Sequence, residues 1–179
     1  AYFTMEAGIT HLFKNYSGGL GILSGDHVKQ AADDNANTYF FSILWKKGYN
    51  LQKVLDDGTV VDVPQDNENW AKFVEYTGKK FILPVENKEL LVKIWKYKGL
   101  NLYLLDCDLE ENGDWHRLTY NLYGGAYPNA EFERVVQEMI LGIGGIYAIK
   151  ELGIDPEFYH FNDGHAIFAV HKLIYDYMK

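Results

Sequence analysis

An α/β fold is predicted by three features of this 179-residue chain. A short apolar run at residues 1–5 reads as a strand. After an irregular stretch, Gly18, Gly19 and Gly21 form a glycine loop that opens into helical spacing. Residues 38–44 are then nearly continuous apolar and rich in aromatics, the composition of a strand buried on both faces of a parallel sheet. Strand, helix and strand in that order make a βαβ unit with the glycines at its first turn.

The length suits one domain with a real core, so residues 1–179 are read as a single α/β domain with an inserted antiparallel β region at about 49–106. No apolar run reaches the roughly 18 residues of a membrane span, so no membrane partner is expected. Residues 1–5 lack the basic flank of a signal peptide, and there is no initiator Met, which reads as a chain cut out of something longer. The single cysteine, Cys107, excludes an internal disulfide and points to a reducing, cytoplasmic setting. A net charge of −8 argues against a nucleic-acid surface. It leaves room for a local anion site, because a nest of N–H groups overrides a mildly negative field.

In chain order, helical spacing runs from about 21 to 34, with Leu20, Leu23, His27, Val28, Ala31 and Ala32 as the inward face. Residues 49–55 and 59–63 flank Asp57-Gly58, a hairpin signal. A short helix is expected at 69–76, a strand at 90–97, and a further strand at 100–106 after a turn at Gly99. An acidic loop at 106–114 precedes a helix at 115–123. The clearest helix spans 131–152, with Phe132, Val135, Val136, Met139, Ile140, Ile143, Ile146 and Tyr147 at helical spacing. Gly142, Gly144 and Gly145 inside it cost ~1 kcal/mol each against Ala, tolerable where another backbone packs close. Gly153 and Pro156 end it. A strand at 157–161 and a last helix at 166–178 follow, the helix turning Ile167, Val170, His171, Ile174 and Tyr177 inward, which makes His171 a core histidine.

Ligands of open α/β sheets bind beyond the carboxyl ends of the strands. On this plan Glu6, the 18–21 loop, residues 46–49, residues 106–112 and residues 162–165 share one edge. Nearly bare backbone ahead of a helix N-terminus suits a phosphate. The loop lacks the third glycine of a dinucleotide fingerprint and the Lys-Ser/Thr of a P-loop, so on spacing alone an anion cradle and a plain tight turn stand even. His165, at a helix start on this edge, is a candidate to hydrogen-bond a polar substrate. His27 and His116 read as structural. The acidic residues Asp106, Asp108, Glu110 and Glu111 lack EF-hand spacing, and His160, Asp163 and His165 complete no zinc set, so no metal is expected. No nucleophile triad and no glycosidase carboxylate pair stands out.

Several of these stretches line up with one known family. They are Ala1-Tyr2-Phe3-Thr4-Met5-Glu6; Tyr16-Ser17-Gly18-Gly19-Leu20-Gly21-Ile22-Leu23-Ser24-Gly25-Asp26-His27-Val28-Lys29; Gly48-Tyr49; Tyr103-Leu104-Leu105-Asp106-Cys107-Asp108-Leu109-Glu110-Glu111-Asn112; Leu122-Tyr123-Gly124-Gly125; Gln137-Glu138-Met139-Ile140-Leu141-Gly142-Ile143-Gly144-Gly145; and Tyr159-His160-Phe161-Asn162-Asp163-Gly164-His165-Ala166-Ile167-Phe168. In this order they resemble the N-terminal domain of the α-glucan (glycogen/maltodextrin) phosphorylases of the shorter prokaryotic type. The resemblance implies a Rossmann-like N-terminal lobe of a GT-B glycosyltransferase. The complete enzyme would cleave terminal α-1,4-glucosyl units of a maltodextrin or other α-glucan with phosphate, giving α-glucose 1-phosphate, with pyridoxal phosphate as cofactor. By the same resemblance, Gly18, Gly19 and Gly21 match the loop that approaches phosphates, and Leu20 matches a residue bordering the sugar pocket. Asn162 and Asp163 fall in the substrate-binding turn, His165 matches a histidine on the glucosyl hydroxyls, and Glu6 a carboxylate at the edge of the catalytic site.

Departures from the family pattern are Lys46-Lys47 in place of Arg-Gln, Asp163 in place of Glu, and Tyr127-Pro128-Asn129 after the glycine pair. The lysine that attaches the cofactor has no counterpart here. The expectation is therefore a lobe inactive alone, completed by a C-terminal lobe or a partner chain and prone to self-association through its uncovered edge. A non-catalytic sugar- or phosphate-binding module is the alternative, and a lobe of a sugar-nucleotide glycosyltransferase a weaker third reading.

Overall fold

A computed structural model describes residues 1–124 and 130–179. The expected βαβ unit is present: β1 (Tyr2–Phe3), α1 (Gly19–Asp33) and β2 (Phe40–Ile43), with β1 and β2 parallel. The α1 face, however, is rotated from the expected one. Gly21, Ser24, Gly25, Val28 and Ala31 are buried, while Leu23 is 61% exposed and His27 and Ala32 are also exposed. The small residues win that face because the helix lies almost on the loop before it. A Cβ on Gly25 would run into the Gly8 carbonyl, and one on Gly21 would stand 2.7 Å from the Glu6 carboxylate.

Strands β3 (Lys47–Val54) and β4 (Val60–Asp66) form the expected hairpin as a separate two-stranded antiparallel sheet, turning at Gly58 with φ 83. A single helical turn, α2 (Trp70–Phe73), leads into β5 (Val74–Val85), then β6 (Lys88–Tyr97) and β7 (Leu102–Asp106). The 12-residue β5 replaces the end of the short helix expected at 69–76. β5 is an edge strand, where lysines and the proline at position 84 cost little. β7 stands in the parallel core rather than in an inserted region: it pairs parallel with β2 and antiparallel with β6.

After β7, 3-10 turns at Glu110–Thr119, broken at Gly113 (φ 58), stand where a helix at 115–123 was expected. The long helix is continuous as α3 (Ala130–Met139), a π segment (Ile140–Gly144) and α4 (Gly145–Leu152). Gly142 and Gly145 have close neighbours, while a Cβ on Gly144 would make only ordinary contact with Phe81 and Leu105. A Cβ on Gly142 would sit 2.6 Å from the Ala169 nitrogen, and one on Gly145 would enter the Phe3 ring. Gly153 closes the helix in the left-handed region (φ 67). β8 (His160–Phe161), a 3-10 turn (Gly164–Ala166) and α5 (Ile167–Tyr177) complete the chain order.

The six-stranded sheet runs β5-β6-β7-β2-β1-β8, parallel from β7 to β8. One face, with Phe3, Phe41, Ile43 and Leu105, packs on α3, α4 and α5; the other, with Tyr2, Phe40, Leu102 and Leu104, packs on α1. The expected inward face of α5 is corrected. Ala166 and Ala169 are buried, whereas Ile167, Ile174 and Tyr177 are 46%, 52% and 93% exposed, and His171 is exposed rather than a core histidine. Period alone gives a stripe; the close approach at Gly142 selects the small-residue side. Among the described residues no helix is long and apolar enough to cross a membrane.

Candidate ligand site at the carboxyl edge of the sheet

Each parallel strand of the core delivers a polar segment to the same edge. Beyond β1 stands Glu6, 2% exposed. Its carboxylate accepts hydrogen bonds from Ser17 N (2.6 Å), Ser17 Oγ (2.8 Å), Gly18 N (3.2 Å) and the Tyr123 hydroxyl. Glu6 therefore sits where an anion at a helix N-terminus would sit, with the first loop N–H groups already taken. This makes it a residue that holds the loop.

The two ends of the loop differ. Around Gly18 and Gly19 a Cβ would meet nothing within 4 Å, so the backbone there is open to approach. Gly21 is crowded by Tyr16 and Glu6, a packing requirement. Gly18 is the N-cap of α1 and offers no side-chain cap, so the N–H groups of Gly19, Leu20 and Gly21 have no acceptor among the described residues. Leu20 is half-buried on this first turn.

Beyond β8, Asn162 donates through Nδ2 to Ser24 Oγ (2.8 Å) and Thr4 Oγ1 (3.3 Å), tying the strand end to α1 and β1. Asp163 caps the following turn, its Oδ1 accepting from Gly164 N at 2.6 Å, with φ 63 and ψ −168. A non-glycine residue held there stores about 1–3 kcal/mol of strain. His165 lies next to Tyr123, ring centroids 5.8 Å apart, and its Nδ1 is buried without a partner among the described residues. Burial, then the Arg134 guanidinium, holds its imidazole below the ordinary value, so the ring is neutral at pH 7. A neutral imidazole can donate from one nitrogen and accept at the other, as a sugar hydroxyl requires.

The structure thus brings Glu6, Gly18, Tyr123 and His165 into one cluster, flanked by Asn162 and Asp163. Tyr123 and Arg134 escaped the reading of residue types. Tyr123 has φ 67, bonds Glu6 and carries the Arg134 guanidinium 4.4 Å from its ring centre. Burial, followed by the bond to Glu6, pushes its phenol up, so it is a hydrogen donor at any ordinary pH. Its place in the Leu-Tyr-Gly-Gly motif was the available signal. Gly125 and the 127–129 departure lie outside the described residues.

Further along the edge, Lys46 Nζ bonds Asp106 Oδ2 at 3.0 Å and sits 3.5 Å over the Trp70 ring centre. Trp95 Nε1 donates to the same carboxylate oxygen at 3.1 Å. Lys47 pairs with Asp66 at 3.4 Å. Lys46 thus ties the end of β2 to the end of β7, and Lys47 ties the start of β3 to the end of β4.

No protein-family model matches the chain. It is 37% identical over 188 residues to the maltodextrin phosphorylase of Thermococcus litoralis, a match covering 99% of this chain and 22% of that protein. It is 34% identical over 183 residues to the glycogen phosphorylase of Mycobacterium tuberculosis, covering 94% of this chain and 21% of the relative. The chain is a relative of the α-glucan phosphorylases. It matches an N-terminal fragment of the family, spanning about a fifth of the length of these relatives. An uncharacterized protein of Methanocaldococcus jannaschii is 33% identical over 183 residues, with 99% of this chain and 34% of that protein covered.

Proposed function

We propose that residues 1–179 form the N-terminal, Rossmann-like lobe of a GT-B α-glucan phosphorylase, and that the complete enzyme splits terminal α-1,4-glucosyl units of a maltodextrin with phosphate. The observation that carries this reading is the open first turn of α1, linked through Gly18, Glu6 and Tyr123 to His165, whose Nδ1 has no partner among the described residues. Free backbone donors suit an anion, and a neutral imidazole suits a hydroxyl.

In this reading the N–H groups of Gly19, Leu20 and Gly21 face a phosphate, Gly18 leaves it room, and the Leu20 side chain borders the sugar. His165 hydrogen-bonds a glucosyl hydroxyl. Glu6 acts through Ser17, Gly18 and Tyr123 by fixing the loop, and Asn162 and Asp163 fix the turn that presents His165. Pyridoxal phosphate, when bound in the complete enzyme, supplies a phosphate group for acid and base work. Lys46 and Lys47 are committed to Asp106 and Asp66, so neither fits as the attachment lysine. That role falls to another part of the enzyme, a C-terminal lobe or a partner chain. Cytoplasmic residence agrees with a reduced, buried Cys107.

The test is glucose 1-phosphate formation from maltodextrin and phosphate. The 179-residue chain alone is expected to form none; turnover by the pure chain overturns the assignment of catalysis to the complete enzyme. The second reading, a sugar- or phosphate-binding module, is favoured by the loop being formed within this chain alone. Calorimetry with maltooligosaccharides and with phosphate supports that reading if heat is released, and flat titrations with both count against it.

A further inference from the structure

The charged groups that face His165 come from three elements. Glu6 stands beyond β1, Asp163 lies on the turn that carries the ring, and Arg134 and Glu138 belong to α3. Three of the four are carboxylates, and each of them pulls the ring towards its doubly protonated form. That form would place an N–H at Nδ1, which is buried and has no partner among the described residues. A buried donor left without an acceptor costs about 1–3 kcal/mol. It would also lose the lone pair with which the ring accepts from a hydroxyl. Arg134 is the one group of opposite sign in this set.

Every carboxylate of the set is already engaged. Glu6 accepts from Ser17, Gly18 and Tyr123, and Asp163 accepts from the Gly164 N–H. Glu138 accepts from Arg134 Nε at 2.8 Å, one turn further along α3, with the two side chains only 21% and 29% exposed. Held by that bond, the guanidinium lies 4.4 Å from the centre of the Tyr123 ring, and the same ring stands 5.8 Å from that of His165. A guanidinium is planar and always charged, so it can stack on the phenol and bond Glu138 at once. The helix itself is pinned to the loop that carries Tyr123: Gln137, beside Glu138, donates to Leu118 O and Asn121 O at 2.9 and 3.0 Å. Arg134 is therefore placed by three contacts, none of which belongs to His165.

We propose that Arg134 is a positioning residue for His165: anchored on Glu138 and laid against the Tyr123 ring, it offsets the three carboxylates and holds the imidazole with its single proton on Nε2 and a lone pair on Nδ1. Orphaned buried N–H groups are rarer than under-satisfied acceptors, which puts the proton on Nε2. Glu138 and Arg134 thus act on the ring with opposite signs, although they are bonded to each other. What this means for a sugar hydroxyl rests on the function proposed above. The state of the ring does not, because it can be read with no ligand present.

The experiment is a nitrogen-15 imidazole NMR titration of the ligand-free 179-residue chain and of its Arg134→Gln, Arg134→Lys and Glu138→Gln variants. Arg134→Gln is expected to raise the His165 midpoint, because three carboxylates then act without their counterweight. Arg134→Lys keeps the charge and is expected to bring the midpoint most of the way back. Glu138→Gln removes one carboxylate and is expected to lower it. The ring signals of His27, on the opposite face of the sheet, are expected to be alike in all four chains. If Arg134→Gln fails to fold, the fall in Glu138→Gln and the near-constant midpoint of Arg134→Lys carry the same test. A His165 midpoint that stays put in Arg134→Gln or Glu138→Gln, or moves in the opposite sense, overturns the role, and so does a proton on Nδ1 of the unsubstituted ring. Each of those failures leaves the proposed function standing, since no ligand takes part.

Discussion

Gly18 and Gly19 stand beside Gly21 and Gly25 in one short stretch, yet the two pairs do opposite work. The first pair is surrounded by space; the second is pressed against Glu6, Tyr16 and the Gly8 backbone. A single motif therefore joins a surface left open for approach to a helix turn that only glycine lets into place. The lesson is that a glycine-rich loop is not evidence of ligand contact at each glycine; space around the absent Cβ separates the two roles.

The difference makes graded predictions. Gly25→Ala has the largest effect, because the new methyl meets the Gly8 carbonyl, which is backbone and cannot swing aside. A loss of ~3 kcal/mol or more is expected in denaturant unfolding. Gly21→Ala follows, at roughly 1–3 kcal/mol, since the neighbouring Tyr16 and Glu6 side chains can yield a little. Gly19→Ala reverses the sign: the chain gains up to about 1 kcal/mol from helix propensity, while on the proposed reading the phosphate affinity of the complete enzyme drops about tenfold. Equal stability of Gly19→Ala and Gly25→Ala would erase the comparison.

The smallest effect is in pH. His165 is held neutral by burial and by Arg134, so its folded pKa lies below the unfolded value of ~6.5. Between those values the unfolded chain binds more protons, so stability falls as pH drops below about 6.5. His165→Gln should flatten that slope in thermal melts between about pH 5 and 7.

The βαβ unit and the long helix were legible in the sequence because backbone needs announce themselves: glycines at a strand-to-helix turn, an unbroken apolar strand, a glycine at a helix end. The faces of α1 and α5 were not. Hydrophobic period marks the apolar stripe, but close approach favours Gly21, Ser24 and Gly25 on α1 and Ala166 and Ala169 on α5, and leaves Leu23 and Ile174 outside. No strand was expected over residues 77–85, because Gly78, Lys79, Lys80 and Pro84 carry no strand signal, although an edge strand accommodates them. At the site, the glycines, Glu6 and His165 could be chosen by type. The phenol of Tyr123 could not, because its partner Glu6 lies 117 positions away in sequence.

The bound state of Glu6 has one more consequence, for selectivity. A carboxylate fixed at the mouth of the helix acts as a counter-ion built into the chain. It preserves the loop's shape when no ligand is present, and it repels any second anion that comes too near. On the proposed reading, a phosphate would therefore stand along the first turn towards Gly19, Leu20 and Gly21, and the strip beside Glu6 would be left to groups that can give a proton rather than carry a charge. One internal carboxylate would then part the edge into a side for anions and a side for hydroxyls.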